Sequence, residues 1–159
     1  MRHAKSSWNF NMSKDHDRPL GSKGRLQVMK MGKYLARYVE PPNKIITSPA
    51  SRAFYTALFI ADAWNIEENK LELNGSFYDA NIEKLLNIIR NTNHPDILAI
   101  CGHNPILTTL INRFHAKGIK NLPTCGIMGF SFDIENWSNL DSAHLLPDFY
   151  YTPRSVDES

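Results

Sequence analysis

The chemistry legible in this sequence sits in a few cationic and imidazole side chains: Arg2, His3, Arg18, Arg52 and His103. Arginine carries a fixed fork of donors that fits the oxygens of a carboxylate or phosphate, and histidine offers a ring nitrogen that can attack, accept or donate. Taken singly, each has an ordinary structural reading. Arg2 alone reads as a solvated surface charge, and His103 alone as a capping or packing residue. Position is what raises them. Arg2 and His3 open the chain, Arg52 falls in the first turn of an expected helix, and His103 directly follows the most apolar strand. Arg18 lies in a long polar loop that could reach the same edge. Such a gathering of cations suits a phosphoryl group. Two other motifs are weaker. Cys101-Gly102-His103 has no second Cys or His pair at ligand spacing, so no metal is expected. Gly21-Ser22-Lys23-Gly24 lacks the longer Gly-Lys-Ser/Thr pattern of a phosphate loop and follows no strand.

The elements that must position these residues follow from periodicity. Ala4 to Lys23 is polar and reads as a long loop. From Gly24, Leu26, Met29, Leu35, Ala36 and Val39 fall near helical spacing until Pro41-Pro42 ends the run. Lys44–Thr47 is a short apolar strand. Ser48-Pro49 is expected to start a second helix, with Ser48 as cap and Pro49 at the first helical position, running to about Ala63. Leu71–Leu73 is a weak strand. Asn81 can cap a third helix with Ile82, Leu85, Leu86 and Ile89 as its apolar stripe. Asp96–Cys101 is nearly continuous in apolar residues, as a strand covered on both faces should be. Gly102-His103-Asn104-Pro105 then turns into a helix from Ile106 to about His115, and Ile127–Ile134 is a last main strand. The segment from Leu146 onward is expected to be a surface crossing, leaving about 147–159 as a tail. Strands and helices alternate, which argues for an α/β sheet with helices on both faces. In such a sheet, ligands sit outside the carboxyl ends of the strands, and the helices beginning at Pro49 and near Pro105 add free backbone amides there.

Composition bounds the answer further. The chain has 159 residues, 42% of them hydrophobic and 21% charged, which is one ordinary globular domain and excludes collagen, coiled coil and wholesale disorder. Lys plus Arg is 18 against 16 for Asp plus Glu, a net charge of +2, so there is no global reason to expect a nucleic acid or a membrane surface as partner. No apolar run approaches the roughly 20 residues of a membrane span. Cys101 and Cys125 make no disulfide framework and suit a reducing, cytoplasmic setting.

Taken together and in order, the motifs resemble the histidine phosphatase superfamily, also called phosphoglycerate-mutase-like. The residues that carry the resemblance are Arg2-His3-Ala4 at a strand end, Ser48-Pro49-x-x-Arg52-Ala53-x-x-Thr56-Ala57 at a strand-to-helix turn, and Gly102-His103-Asn104-Pro105 after an apolar strand. Within that group, Arg2–Trp8, Asp15-His16-Asp17-Arg18-Pro19-Leu20 and Leu122-Pro123-Thr124-Cys125-Gly126 are similar to the small SixA-type phosphohistidine phosphatases. The resemblance implies a three-layer α/β sandwich, a mostly parallel central sheet, and no large cap insertion. It implies that His3 is a covalent nucleophile, that Arg2, Arg18 and Arg52 grip the phosphoryl oxygens, and that His103 adds a donor, with no metal or other cofactor. Attack needs a neutral imidazole, which the neighbouring cations favour, and a carbonyl on the other ring nitrogen would fix the tautomer.

Two departures from the family pattern carry expectations. The family has an apolar strand before its Arg-His pair, whereas this sequence opens at Met1, so either the start is misassigned or truncated or the central sheet lacks most of one strand. Larger members also place a Glu in mid-chain as general acid. In the matching region, Gly75–Ala80, Asp79 is the only carboxylate, so it is the candidate acid, with a share in capping the helix at Asn81 as the alternative. The short segment between Leu73 and Asn81 predicts an open, shallow site, which suits a phosphohistidine presented by a protein. A small phosphomonoester substrate is the alternative within the same chemistry. A phosphate-binding module without catalysis is the alternative outside it.

Overall fold

The computed structural model describes residues 1–7, 14–79, 81–93, 96–142 and 145–157. The first helix, α1, spans Ser22–Tyr38, two residues earlier than the apolar pattern suggests. It buries Val28, Met31 and Leu35 along one stripe, each contributing roughly 1.5–3 kcal/mol of apolar transfer. Strand β1, Lys44–Thr47, leads to helix α2, Ser51–Ala63. Strand β2, Leu71–Leu73, precedes helix α3, Ile82–Arg90, whose first turn Asn81 caps by accepting from the Lys84 amide at 2.9 Å. Strand β3, Leu98–Cys101, is followed by helix α4, Ile106–Phe114.

Strands β2, β1 and β3 form one parallel sheet in that order, with Thr47 in register with both Leu73 and Cys101. Alternation along β1 sends neighbouring side chains to opposite faces. Ile45 packs with Val28, Leu35, Ala57 and Ile60 of α1 and α2. Ile46 packs with Leu85, Leu86, Ile89 and Leu110 of α3 and α4. The result is helix, sheet, helix: the three-layer α/β arrangement expected from the alternating pattern.

Residues 1–3 extend this sheet. The Met1 amino group donates to Ile100 O, the Gly102 amide to Met1 O and the His3 amide to Gly102 O, all between 2.8 and 3.1 Å. On the other side the Arg2 amide donates to Gly126 O and the Cys125 amide to His3 O, both at 3.0 Å. Residues 1–3 therefore lie between β3 and the start of strand β4, Ile127–Phe132. Beyond Met1, β3 and β4 are separated by an apolar cleft of about 190 Å³, lined among others by Met1, Leu98, Ile100, Met128, Phe130 and Phe149.

The expected tail is a correction. Residues 145–151 form strand β5, antiparallel to β4, and Pro153–Asp157 form a short helix, α5, that packs on α1. Proline in a strand is confined to edges and irregularities, and the pairing shifts register at Gly129/Phe130, where Phe130 meets Pro147. Two boundaries also move. Strand β4 ends at Phe132, short of Ile134, and α2 begins at Ser51 behind an Ala50 that makes no side-chain cap. Among the described residues, no helix is long and apolar enough to cross a membrane.

Candidate active site

Every parallel segment ends at the same edge, and each delivers one part of the site there. His3 ends the first segment, Ser48 follows β1, Tyr78 comes after β2, and His103 follows β3. The His3 backbone is held from both sides by Gly102 O and the Cys125 amide. Ala4 is fixed to α2, because its amide donates to Thr56 Oγ1 at 2.9 Å while that hydroxyl donates to Arg52 O at 2.6 Å. Close contact with α1 fixes the next residue. A Cβ at Gly24 would overlap the Lys5 carbonyl, so only glycine lets the helix approach this closely.

That scaffold sets the state of His3. Its Nδ1 lies 2.7 Å from Ala4 O. A carbonyl only accepts, so Nδ1 carries the proton and Nε2 keeps a free lone pair. Burial, followed by the charges of Arg52, Arg2 and Arg18, pushes the imidazole down to about 4 despite the opposing Ala4 bond. His3 is thus neutral, with one nitrogen prepared to attack.

His103 packs beside it, with ring centroids 5.1 Å apart. Its Nε2 is 2.9 Å from Ser48 Oγ, which accepts from the Ala50 amide at 3.3 Å, and in the tautomer where Nε2 accepts the Ser48 hydroxyl proton, Nδ1 carries the ring's N–H. The serine expected to cap α2 instead braces His103. Burial and then the proximity of His3 and Arg52 push His103 down to about 3, with Asp15 opposing. Its Nδ1 is buried with no hydrogen-bond partner among the described residues, as are Arg2 Nε and Arg52 Nε. Orphaned donors at one place are what an oxyanion site without its anion presents.

The arginines reach the site by different routes. Arg2 is anchored by Nη1 to Leu122 O at 2.7 Å, which places the 121–126 loop against it. Arg52 is buried, with a side-chain exposure of 7%, and Arg18 of 15%. Both meet Asp15, which carries part of the family resemblance but has no role of its own in the sequence analysis. Arg52 Nη2 lies 2.8 Å from Asp15 Oδ2 and Arg18 Nη2 lies 3.2 Å from Oδ1. Desolvation is the largest single influence and raises this carboxyl, but the charges of Arg52 and Arg18 and the hydrogen bonds from Arg52 and Tyr78 together hold it below its usual range. Tyr78 was missed as well. Its hydroxyl donates to Asp15 Oδ2 at 3.2 Å and its ring stands edge-on to His103 at 5.7 Å.

The structure thus brings Arg2, His3, Arg18, Arg52 and His103 together. It does not bring Asp79 with them. Asp79 is exposed and forms no hydrogen bond or ion pair among the described residues, and Asn81 alone caps α3 by a side-chain bond. Trp8, part of the first motif, lies outside the described residues. Cys101 and Cys125 are buried beside the His3 segment, and burial pushes their thiols up to about 11 and about 12, which leaves them protonated.

Comparison with known proteins agrees with this geometry. Residues 1–73 match the histidine phosphatase superfamily (branch 1). An uncharacterized chloroplastic protein of Arabidopsis thaliana is 32% identical over 134 residues, covering 79% of this chain, and the chain spans 61% of that protein's length. A crystal structure described as a candidate phosphohistidine phosphatase SixA from Agrobacterium tumefaciens superposes with a TM-score of 0.80 at 22% identity, covering 96% of this chain and 95% of that one. A protein histidine phosphatase SixA complexed with tungstate gives 0.82 at 16% identity, covering 98% and 96%. With the motifs in the expected order and the cations at one sheet edge, the first 73 residues are similar to the histidine phosphatase superfamily and the chain has a fold of the SixA type.

Proposed function

We propose that this protein is a phosphatase that hydrolyses phosphohistidine through a covalent phosphoryl intermediate on His3. The observation that carries the reading is the His3 imidazole itself. Its Nδ1–H is committed to Ala4 O, its Nε2 is free, and its ring is kept neutral among three arginines. Nε2 would attack phosphorus as the P–N bond to the substrate imidazole breaks, and that imidazole, already protonated from solvent on its other ring nitrogen, leaves as the neutral ring. Water then attacks phospho-His3, releasing inorganic phosphate and restoring the neutral ring. Phosphoryl transfer of this kind is mostly positioning and charge stabilisation, which Arg2, Arg18, Arg52 and a neutral His103 donor would supply without a metal ion.

One feature favours phosphohistidine over a phosphomonoester, and a second supports an oxyanion ligand of either kind. Imidazole leaves more readily than an alkoxide, so a site whose candidate acid, Asp79, is exposed to solvent fits it better. The tungstate bound by a SixA of the same fold is a tetrahedral oxyanion, the ligand class these orphaned donors suit. Trapping with labelled phosphohistidine peptide tests the reading. An acid-labile, base-stable adduct is expected on wild type and lost in His3→Ala. An adduct that persists in His3→Ala refutes the nucleophile.

A further inference from the structure

The arginines of the site are already paired within the chain. Arg52 Nη2 donates to Asp15 Oδ2 at 2.8 Å and Arg52 Nη1 to the Asp15 carbonyl at 2.7 Å. Arg18 Nη2 pairs with the other carboxylate oxygen at 3.2 Å, and the Tyr78 hydroxyl donates to Oδ2. Two oxygens on one carbon present to a guanidinium the same edge as two oxygens of a phosphoryl group. The two partners differ in freedom. Arg52 is fixed at 7% exposure on the first turn of α2, whereas the Asp15 side chain is 53% exposed on a three-residue turn, Asp15–Asp17. Asp15 can leave without opening the core, and Arg52 cannot.

We propose that Asp15 sets the site's affinity for oxyanions: its carboxylate occupies the phosphoryl seat between Arg52 and Arg18 in the empty protein, and a phosphorylated ligand binds by displacing it. This rests on the phosphatase reading above and adds to it the residue against which every anionic ligand competes. Apparent affinity falls by the fraction of molecules whose seat is open, so a seat filled about nine times in ten weakens phosphate about tenfold. The same competition speeds product release, because Asp15 re-enters as inorganic phosphate departs. Tyr78 is the latch. Its hydroxyl holds Asp15 inward, and its ring lies against both His16, at 5.2 Å, and His103.

Other roles for Asp15 predict different signs. If it orients Arg52 for the ligand, removing its charge weakens phosphate binding. If it is a general acid, phosphate binding is unchanged and turnover falls with basic leaving groups. If it acts only through its charge, any nearby carboxylate does the same. Asp17 provides that control, being exposed and paired with His16 at 3.0 Å rather than with an arginine.

The experiment is calorimetric titration of inorganic phosphate into the full chain, with competitive inhibition by phosphate alongside. Asp15→Asn is expected to bind phosphate about tenfold tighter than wild type, and Tyr78→Phe, which changes no charge, about two- to threefold tighter. Asp17→Asn is expected to stay within about twofold, as suits an exposed, screened charge. Equal or weaker binding in Asp15→Asn overturns the proposal and leaves the phosphatase reading standing, as does an Asp17→Asn that matches it. Absence of phosphate binding in wild type and all variants refutes the phosphatase reading, and this proposal with it.

Discussion

Mild acid should destabilise this protein well before its carboxylates titrate. His3 and His103 are held near 4 and 3 in the folded state, against about 6.5 in an unfolded chain. Between those values the unfolded chain binds protons that the folded one refuses, so stability falls as pH falls. At about pH 5 each imidazole would be almost wholly protonated when unfolded and almost wholly neutral when folded. Linkage then gives a loss of about 2 kcal/mol per histidine, and about 4 kcal/mol for the two, relative to about pH 7.5. The figure is insensitive to the folded values, since any folded pKa below about 4.5 gives nearly the same loss at pH 5. It is a large share of the ~5–15 kcal/mol that holds an ordinary domain together, and corresponds to a fall in Tm of about 8–16 °C for a chain of this length. Desolvation is the larger cause for both rings, so added salt should change the effect little.

Urea melts at the two pH values measure it. Wild type should lose the full amount, while His3→Gln and His103→Gln should each lose about half, because glutamine does not titrate. Asp15 and Asp141 are both held below their usual range, so their contributions vanish only at lower pH and do not enter this window. A His3→Gln protein whose stability falls with pH as steeply as wild type would refute the argument. So would an NMR titration placing His3 near 6.5.

Further expectations follow from the site and its supports. Arg52→Ala should weaken phosphate inhibition about tenfold to a few hundredfold, since a charge-assisted bond to a desolvated oxyanion is worth ~1.5–3 kcal/mol; an unchanged inhibition constant removes Arg52 from the seat. Asp79→Asn should leave phosphohistidine hydrolysis nearly unchanged, and a selective loss of about 10²–10⁴-fold on alkyl phosphates would instead make Asp79 the acid and a phosphomonoester the substrate. Gly24→Ala should destabilise by about 1–3 kcal/mol in urea melts although alanine is the better helix former, because its Cβ meets the Lys5 carbonyl; a neutral or stabilising result would show that the 4–7 segment yields.

The sequence was most readable where one physical cause acts alone. The near-continuous apolar run before Cys101 could hardly be anything but a buried strand, and Asn81 ahead of an apolar stripe could hardly be anything but a cap. It was least readable where partners lie far along the chain. Asp15 sits in a polar loop with nothing local to separate it from Asp17, and only the fold brings Arg52 to one and not the other. Tyr78 and Asp79 are neighbours, yet the 3-10 turn at Gly75–Phe77 directs the aromatic inward and leaves the carboxylate in solvent. Ser48 had a good local reason to cap α2. Its hydroxyl went to His103, 55 residues away, because a buried imidazole without a partner costs more than a helix start left to other acceptors. The strand at residues 145–151 was hidden by Pro147, which is tolerated because the pairing with β4 is already irregular there.

The same placements explain why the site can hold so much unsatisfied polarity. A neutral His3 between arginines, a His103 with an orphaned Nδ1, and guanidinium nitrogens without acceptors are each unfavourable in a folded chain. They persist because the segments that carry them are overdetermined by backbone bonds. His3 is clamped by Gly102 and Cys125, Ala4 by Thr56, and Ser48 by the bond from its amide to Cys101 O at 3.0 Å. None of those bonds involves the groups that would touch a ligand. The sheet edge can therefore keep its donors poised while one mobile carboxylate, Asp15, neutralises part of the charge until an oxyanion replaces it. Phosphate binding should then stabilise the fold by mass action, and in the Asp15→Asn protein it should do so at lower phosphate concentration than in wild type.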